Sequence, residues 1–134
     1  MELSKILLLL TLLAFLSVIP ASAASETGTV TVTKNDSGKE ISIPQGGIVE
    51  IQMEYPAATG FSWEITDLDK KHLEVIDVGT KSLKEGPIAG GPMLKTWRIK
   101  AVAKGRTELK MYYYRSWEGL EKSADKFRLT IKVT

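Results

Sequence analysis

The chain contains few residues that could act as a nucleophile, a catalytic base or a metal ligand. It has no cysteine and a single histidine, His72. A thiol nucleophile, a thiolate metal site, a histidine-based metal cluster and a cysteine–histidine dyad are therefore excluded. The carboxylates are dispersed over strand-face and turn positions rather than paired for acid–base catalysis. These residue types favour neither an enzyme nor a cofactor or metal site.

Three segments carry small or aromatic residues of the kind that recognise another molecule. They are residues 57–61 (Ala-Ala-Thr-Gly-Phe), 88–92 (Ile-Ala-Gly-Gly-Pro) and 115–117 (Arg-Ser-Trp). Aromatic and arginine side chains are favoured at the centres of protein interfaces, and Trp117 stands in a polar segment beside Arg115. Trp63 and Trp97 instead fall on strand alternation, which predicts that they fill the core. His72 is interpreted as a solvated loop residue.

Alternating apolar and polar residues predict the strands that must position these segments. Such alternation, or a β-branched run, marks residues 27–33, 41–43, 48–53, 61–66, 73–78, 93–103, 107–114 and 126–133. With no segment of helical period, the fold class is all-β, an immunoglobulin-like β-sandwich of seven or eight strands. Alternate connections of a sandwich emerge at the same end, which would bring the three segments onto one surface.

The sequence also makes predictions about the segment 79–92 and about the faces of the strand that follows it. Residues 79–92 hold four glycines and two prolines, and this composition predicts an irregular connection that is long enough to be functional. In the strand at 93–103 we place Trp97 and Ile99 on one face and Lys95 nearer the other.

The first 23 residues have the pattern of a secretory signal peptide. Lys5 precedes an unbroken apolar run over 6–19, and Ala-Ser-Ala at 21–23 resembles a cleavage site. A retained membrane anchor is the alternative, but the run is shorter than the roughly 20 residues that span a bilayer. We expect a single domain at 24–134, secreted, periplasmic or at the cell surface, and free of the membrane after cleavage. The formal net charge of +2, with both signs spread throughout, does not indicate a nucleic-acid partner.

The three segments together resemble the signature of the chagasin family of cysteine-protease inhibitors. Ala-Thr-Gly-Phe-x-Trp at 58–63, Ala-Gly-Gly at 89–91 and Tyr-Arg-Ser-Trp-Glu at 114–118 occur in the family's order. The family patterns are Asn-Pro-Thr-Thr-Gly-Tyr/Phe-x-Trp, Gly-x-Gly-Gly and Arg-Pro-Trp. The similarity extends to the flanking segments 48–52 and 127–133, so it covers nearly all of the chain after residue 23.

The resemblance implies a reversible inhibitor of papain-like cysteine peptidases, acting as a monomer that occludes the active-site cleft with three loops, 56–63, 86–92 and 114–118. Residues at the tip of the first loop would face the catalytic cysteine of the target, the second loop would lie along the non-primed side, and the third would grip the primed side. The implied target-binding residues are Ala58, Thr59, Gly60, Phe61, Ala89, Gly90, Gly91, Arg115, Ser116 and Trp117.

This chain departs from the family pattern at three places. Pro-Ala-Ala at 56–58 stands where the family has Asn-Pro-Thr, Ile88 replaces the first glycine of the second motif, and Ser116 replaces the proline of the third. The asparagine would brace its loop through its own backbone, and the proline would fix one backbone angle. Both sources of rigidity are absent here.

A second class of function also fits the residues. A secreted immunoglobulin-like binding or adhesion module could use Trp117 and the tyrosines on a glycan or protein surface. The two hypotheses differ at Thr59, because a bulky charge at that position should abolish inhibition by a wedge and leave binding by an adhesion surface intact.

Overall fold

The computed structural model describes residues 28–84 and 91–134, and these residues form a sandwich of two sheets. The eight strands found in these ranges are β1 (Thr29–Thr33), β2 (Glu40–Ile43), β3 (Ile48–Pro56), β4 (Ser62–Asp67), β5 (Leu73–Ser82), β6 (Pro92–Ala101), β7 (Gly105–Tyr114) and β8 (Asp125–Val133). One sheet has the order β1-β3-β6-β5 and the other β2-β8-β7-β4. Pairs β1–β3 and β2–β8 are parallel, and the other four pairs are antiparallel. The prediction of an all-β, immunoglobulin-like sandwich is confirmed.

The core lies between the inner faces of the two sheets and follows the alternation in the sequence. In β8, from Phe127 to Val133, every second side chain is buried and those between are exposed or partly exposed. Trp63 and Trp97 are each only 3% exposed, as their positions predicted. The apolar core residues are Val32, Ile43, Val49, Ile51, Met53, Trp63, Leu73, Trp97, Ile99, Ala101, Leu109, Met111, Phe127, Leu129, Ile131 and Val133.

The prediction that residues 79–92 are irregular is wrong at both ends of that segment. β5 continues through Gly79 to Ser82, and β6 begins at Pro92. Pairing with β6 opposes Gly79 to Thr96 and Ser82 to Met93, so cross-strand bonds compensate for the weak intrinsic strand preference of glycine. Residues 85–90 lie outside the described ranges.

Lys95 and His72 also differ from the sequence-based expectation. Lys95 shares the inner face of β6 with Trp97, because the two positions are two residues apart on a strand. His72 is only partly exposed: its Nδ1 lies 2.6 Å from Asp69 Oδ2, and its ring lies against the backbone of Gly105. Both side chains contact specific partners within the protein: His72 contacts Asp69, and Lys95 contacts Glu64.

Three short 3-10 helices interrupt the connections between described strands, at Lys34–Asp36, Ala57–Thr59 and Leu120–Lys122. Within the described ranges, no helix is long and apolar enough to cross a membrane. Residues 1–27, which include the predicted signal peptide, lie outside those ranges.

Candidate functional site

The strand register brings the ends of three connections to the same end of the sandwich. Pro56 at the end of β3 pairs with Pro92 at the start of β6, which places the β3–β4 connection beside the β5–β6 connection. In the other sheet, Ser62 at the start of β4 pairs with Tyr114 at the end of β7, so the first and third loops are also neighbours. The strand ends that flank the three segments singled out in the sequence therefore lie at one end of the sandwich.

The first loop is a compact turn that its own small residues permit. Residues 57–59 form one turn of 3-10 helix, and Gly60 ends it in the left-handed conformation with φ of 77°. Thr59 Oγ1 donates to the Pro56 carbonyl at 3.4 Å and accepts from the Phe61 backbone N–H at 3.3 Å. The threonine hydroxyl thus bridges the two sides of the turn, a role that short polar side chains commonly take in turns.

Arg115 fastens the third loop to the first. Its Nε donates to the Thr59 carbonyl at 2.8 Å, and its Nη1 lies 3.1 Å from Glu118 Oε1. The guanidinium carbon lies 4.3 Å from the centre of the Phe61 ring, a cation–π distance. A planar guanidinium can bond in two directions and stack at once, so one side chain orders both loops.

Trp117 packs across the tip of the first loop while most of its surface faces solvent. A Cβ added at Gly60 would lie 2.5 Å from Cη2 of the Trp117 ring, so the indole edge rests directly on the glycine backbone. Trp117 is nevertheless 72% exposed, the most exposed large hydrophobic residue of the described ranges. An ordered and exposed aromatic side chain beside a bare backbone is a typical protein-binding surface.

The described edge of the second loop is also attached to the first. The Ala57 backbone N–H donates to the Gly91 carbonyl at 3.2 Å, immediately before Gly91 leads into β6. Ala89 and Gly90 of the predicted site lie outside the described residues. The structure thus brings Ala58, Thr59, Gly60, Phe61, Gly91, Arg115, Ser116 and Trp117 to one end of the sandwich.

An aromatic stack supports this end of the molecule from below. The ring of Tyr113 lies 5.2 Å from that of Phe61 and 5.1 Å from that of Trp63. With Arg115 above Phe61, the stack runs from the loop surface into the core. Tyr113 is paired with Trp63, and Phe61, two residues before Trp63, is its diagonal neighbour at the loop ends of β4 and β7.

Two supporting residues, Lys95 and Glu118, were not among the predicted site residues. Lys95 Nζ donates to the Trp63 carbonyl at 3.3 Å and lies 2.9 Å from Glu64 Oε1, which ties the two sheets together below the loops. Glu118 accepts from Arg115 and limits where the guanidinium can point. Two features of the sequence could have indicated these roles. Lys95 is two residues from Trp97 on a strand and so lies on the same face, and Glu118 is three residues from Arg115, close enough to form an ion pair with it.

Comparison with solved structures shows the same fold in several proteins. The cysteine protease inhibitor EhICP2 from Entamoeba histolytica has 18% identity over 80% of this chain and 96% of its own, with a TM-score of 0.72. The Leishmania mexicana ICP has 21% identity over 74% and 90%, with a TM-score of 0.56. PbICP-C, solved in complex with falcipain-2, has 20% identity over 81% and 92%, with a TM-score of 0.52. No curated protein sequence matches the chain.

A protein-family model matches most of the sandwich domain. The model describes the chagasin family of peptidase inhibitors I42, and it matches residues 42–131, a range that includes all three loops. Its members are peptidase inhibitors and not enzymes, which agrees with the residue types found here. This chain belongs to the chagasin family of peptidase inhibitors.

Proposed function

We propose that the chain is an exported, reversible inhibitor of papain-like cysteine peptidases, and that loops 56–63, 86–92 and 114–118 together fill the active-site cleft of the target. The observation that carries this proposal is the hydrogen bond from Arg115 Nε to the Thr59 carbonyl. It joins the first and third loops into one unit at the end of the sandwich where β5 ends and β6 begins. PbICP-C, which shares the fold, was solved in complex with falcipain-2.

The tip of the first loop suits close approach to a catalytic cysteine. Ala58 and Gly60 are exposed, and neither carries a side chain beyond Cβ. A backbone without bulky side chains can enter a narrow cleft, and a turn that is already folded loses little conformational entropy on binding. The Thr59 hydroxyl bonds and the Arg115 bond hold the turn in that form before a target arrives.

The third loop supplies the anchor in this proposal. Trp117 is exposed and backed by Gly60, so little side-chain entropy remains to be lost when it binds. Arg115 has two of its nitrogens engaged within the chain, and its role is therefore to set the loop geometry at least as much as to contact the target. This internal bracing substitutes for the rigidity of the asparagine and proline residues that the family pattern has and this chain lacks.

Inhibition of a papain-like peptidase by the purified protein tests the proposal. We expect reversible, active-site-directed inhibition, and we expect Thr59→Arg to weaken it at least about 30-fold, since a clash at the centre of an interface costs about 2 kcal/mol or more. Thr31→Arg is the matched control, because Thr31 is exposed on β1 and is remote in sequence from all three loops.

The outcome also distinguishes the two functional classes. Absence of inhibition at micromolar concentration against several papain-like peptidases would contradict the proposal. Glycan or protein binding that survives Thr59→Arg would indicate an adhesion module instead.

Export is a separate part of the proposal, and it rests on the signal-peptide pattern of residues 1–23. Expression of the full chain in a secreting host should release a protein whose mass corresponds to a start at or near Ala24. Recovery of the uncleaved chain in the membrane fraction would favour the anchor instead.

A further inference from the structure

The outer edge of β5 is open along most of its length. β5 is the last strand of its sheet, and no other described strand pairs with its outer side. Every residue from Ile76 to Ser82 is exposed, including Ile76 at 46% and Val78 at 48%. An edge of this kind presents free backbone N–H and C=O groups with which another strand can pair. A bulge interrupts β5 between Val75 and Asp77, and bulges and charged residues such as Lys81 are devices that restrict pairing at an edge, so the regular open stretch is 77–82.

The backbone groups that face outward can be identified from the pairing with β6. The Leu83 N–H donates to the carbonyl of Pro92, the residue directly opposite it, at 3.0 Å. In an antiparallel pair, hydrogen-bonded and non-hydrogen-bonded positions alternate. Asp77, Gly79 and Lys81 therefore bond to β6, whereas Val78, Thr80 and Ser82 direct their N–H and C=O groups outward.

We propose that this edge binds the same edge of a second copy of the chain, in an antiparallel pair centred on Gly79. This register opposes Val78 to Thr80 of the second copy, so the outward backbone groups of both residues meet as hydrogen-bonded pairs. It also opposes Asp77 to Lys81 of the second copy, and by symmetry Lys81 to Asp77. The two four-stranded sheets become one sheet of eight strands.

Charge selects this register over its neighbours. A shift that keeps the outward groups paired moves Asp77 opposite either Gly79 or Leu83, and neither residue can form an ion pair with it. In the proposed register Asp77 and Lys81 of each copy are matched at non-hydrogen-bonded positions, where opposed side chains come closest. Among the described residues, neither Asp77 nor Lys81 has an ion-pair partner within its own chain.

Gly79 suits the centre of the pair. The two Gly79 residues would face each other at a non-hydrogen-bonded position with Cα atoms about 4.5 Å apart. Apart from its chain neighbours, no described atom lies within 4 Å of the place where a Cβ at Gly79 would be, so the face of the sheet is open at this position. The self-complementary order of Asp77, Gly79 and Lys81 points to a copy of this chain rather than to an unrelated strand.

The association should be weak, because a single pair of strands buries less area than a standard interface of about 1,600 Å². The chain is then a monomer when dilute and a dimer when concentrated. Sedimentation velocity from about 1 µM to about 1 mM, the range that corresponds to weak interfaces, should show a concentration-dependent shift from monomer to dimer.

Charge substitutions provide the decisive test. Asp77→Lys and Lys81→Asp should each weaken dimerisation at least about tenfold, since like charges then face each other twice. The double variant Asp77→Lys/Lys81→Asp should restore it, because the same pairs reappear with their signs exchanged. Glu121→Lys makes the same change in net charge as Asp77→Lys, at an exposed site in the β7–β8 connection outside the three loops, and should have no effect.

Amide hydrogen exchange locates the contact. With rising concentration, the amides of Val78 and Thr80 should gain protection, whereas those of Gly79 and Lys81, which already bond to β6, should not. A chain that stays monomeric up to about 1 mM, a dimer that the single variants leave unchanged, or a double variant that fails to regain the dimer would each overturn the proposal.

Discussion

Gly60 is subject to two separate constraints, one from its backbone and one from a neighbouring side chain. Its φ of 77° lies in the left-handed region, where residues with a Cβ are disfavoured. The edge of the Trp117 ring also occupies the space that a Cβ would need. Gly38 has a similar φ of 85°, but no described atom lies within 4 Å of its Cβ position. Comparing the two glycines separates backbone strain from displacement of the tryptophan.

Gly60→Ala should therefore impair both stability and inhibition, whereas Gly38→Ala should impair stability alone. Each substitution is expected to lower the free energy of unfolding by about 1 kcal/mol through the left-handed backbone. Only Gly60→Ala displaces Trp117, and a displaced interface anchor should weaken inhibition at least about tenfold. Urea unfolding and peptidase titration measure the two effects. Equal inhibition by the two variants would show that the Trp117 position does not matter.

Arg115 illustrates what residue types alone can and cannot predict. Its place in a polar loop beside Trp117 indicated a surface segment, and Trp117 is indeed exposed. Its bond to the Thr59 carbonyl joins residues 56 positions apart, and no local pattern encodes such a contact. The sequence thus predicted which segments belong together, whereas the bracing contacts of Arg115 and the exposed position of Trp117 required the structure.

Among the strands, β4 and β6 are linked by a polar contact just below the loops. Lys95 on β6 reaches across the inner space to Glu64 and the Trp63 carbonyl on β4, and its ammonium lies 5.1 Å from the centre of the Trp97 ring. The Lys95 side chain is only 15% exposed, so it is largely shielded from water. Hydrogen bonds to a charged donor in such surroundings are stronger than those at an open surface.

Lys95→Met should lower the free energy of unfolding by about 1–3 kcal/mol, because it leaves the Trp63 carbonyl and Glu64 without their charged donor. Lys100→Met on the outer face of the same strand should change it by less than about 0.5 kcal/mol, as expected for an exposed site. Chemical denaturation of both variants measures the difference. Two equal values would mean that the contact between the sheets contributes nothing.

At the scale of strands, prediction succeeded where one face is buried and failed where pairing alone holds the chain. Alternation identified every strand, since burial of one face imposes period two on the sequence. The end of β5 was missed because Gly79 and Lys81 have no buried face and are held by bonds to β6. Sheet order, including the two parallel pairs, depends on contacts between distant segments and left no local signal.

For the whole molecule, stability has an acid-sensitive component at the end of the sandwich away from the loops. Hydrogen bonding to the His72 side chain is the main cause that holds the pKa of Asp69 below its ordinary value of 3.8. The Lys71 backbone N–H donates to the same carboxylate at 3.0 Å, and Thr107 Oγ1 donates at 3.4 Å. Asp69 therefore joins the connection between β4 and β5 to the start of β7.

The sign of the pH effect follows from the direction of this shift. A carboxyl group whose pKa is lower in the folded state stabilises the fold above its unfolded pKa, and the contribution disappears as pH falls through the folded value. Asp69→Asn should thus be less stable than the parent chain at pH 7, and the gap should narrow as pH falls below about 4. Asp67→Asn is the control, because Asp67 is exposed and no side-chain hydrogen bond to it occurs among the described residues.

Thermal unfolding from pH 7 downward measures both variants against the parent chain. Since Asp69 lies away from the three loops, inhibition at neutral pH should be unchanged in Asp69→Asn. A difference in stability between Asp69→Asn and the parent chain that does not change with pH would show that the carboxylate charge is not the source of the effect.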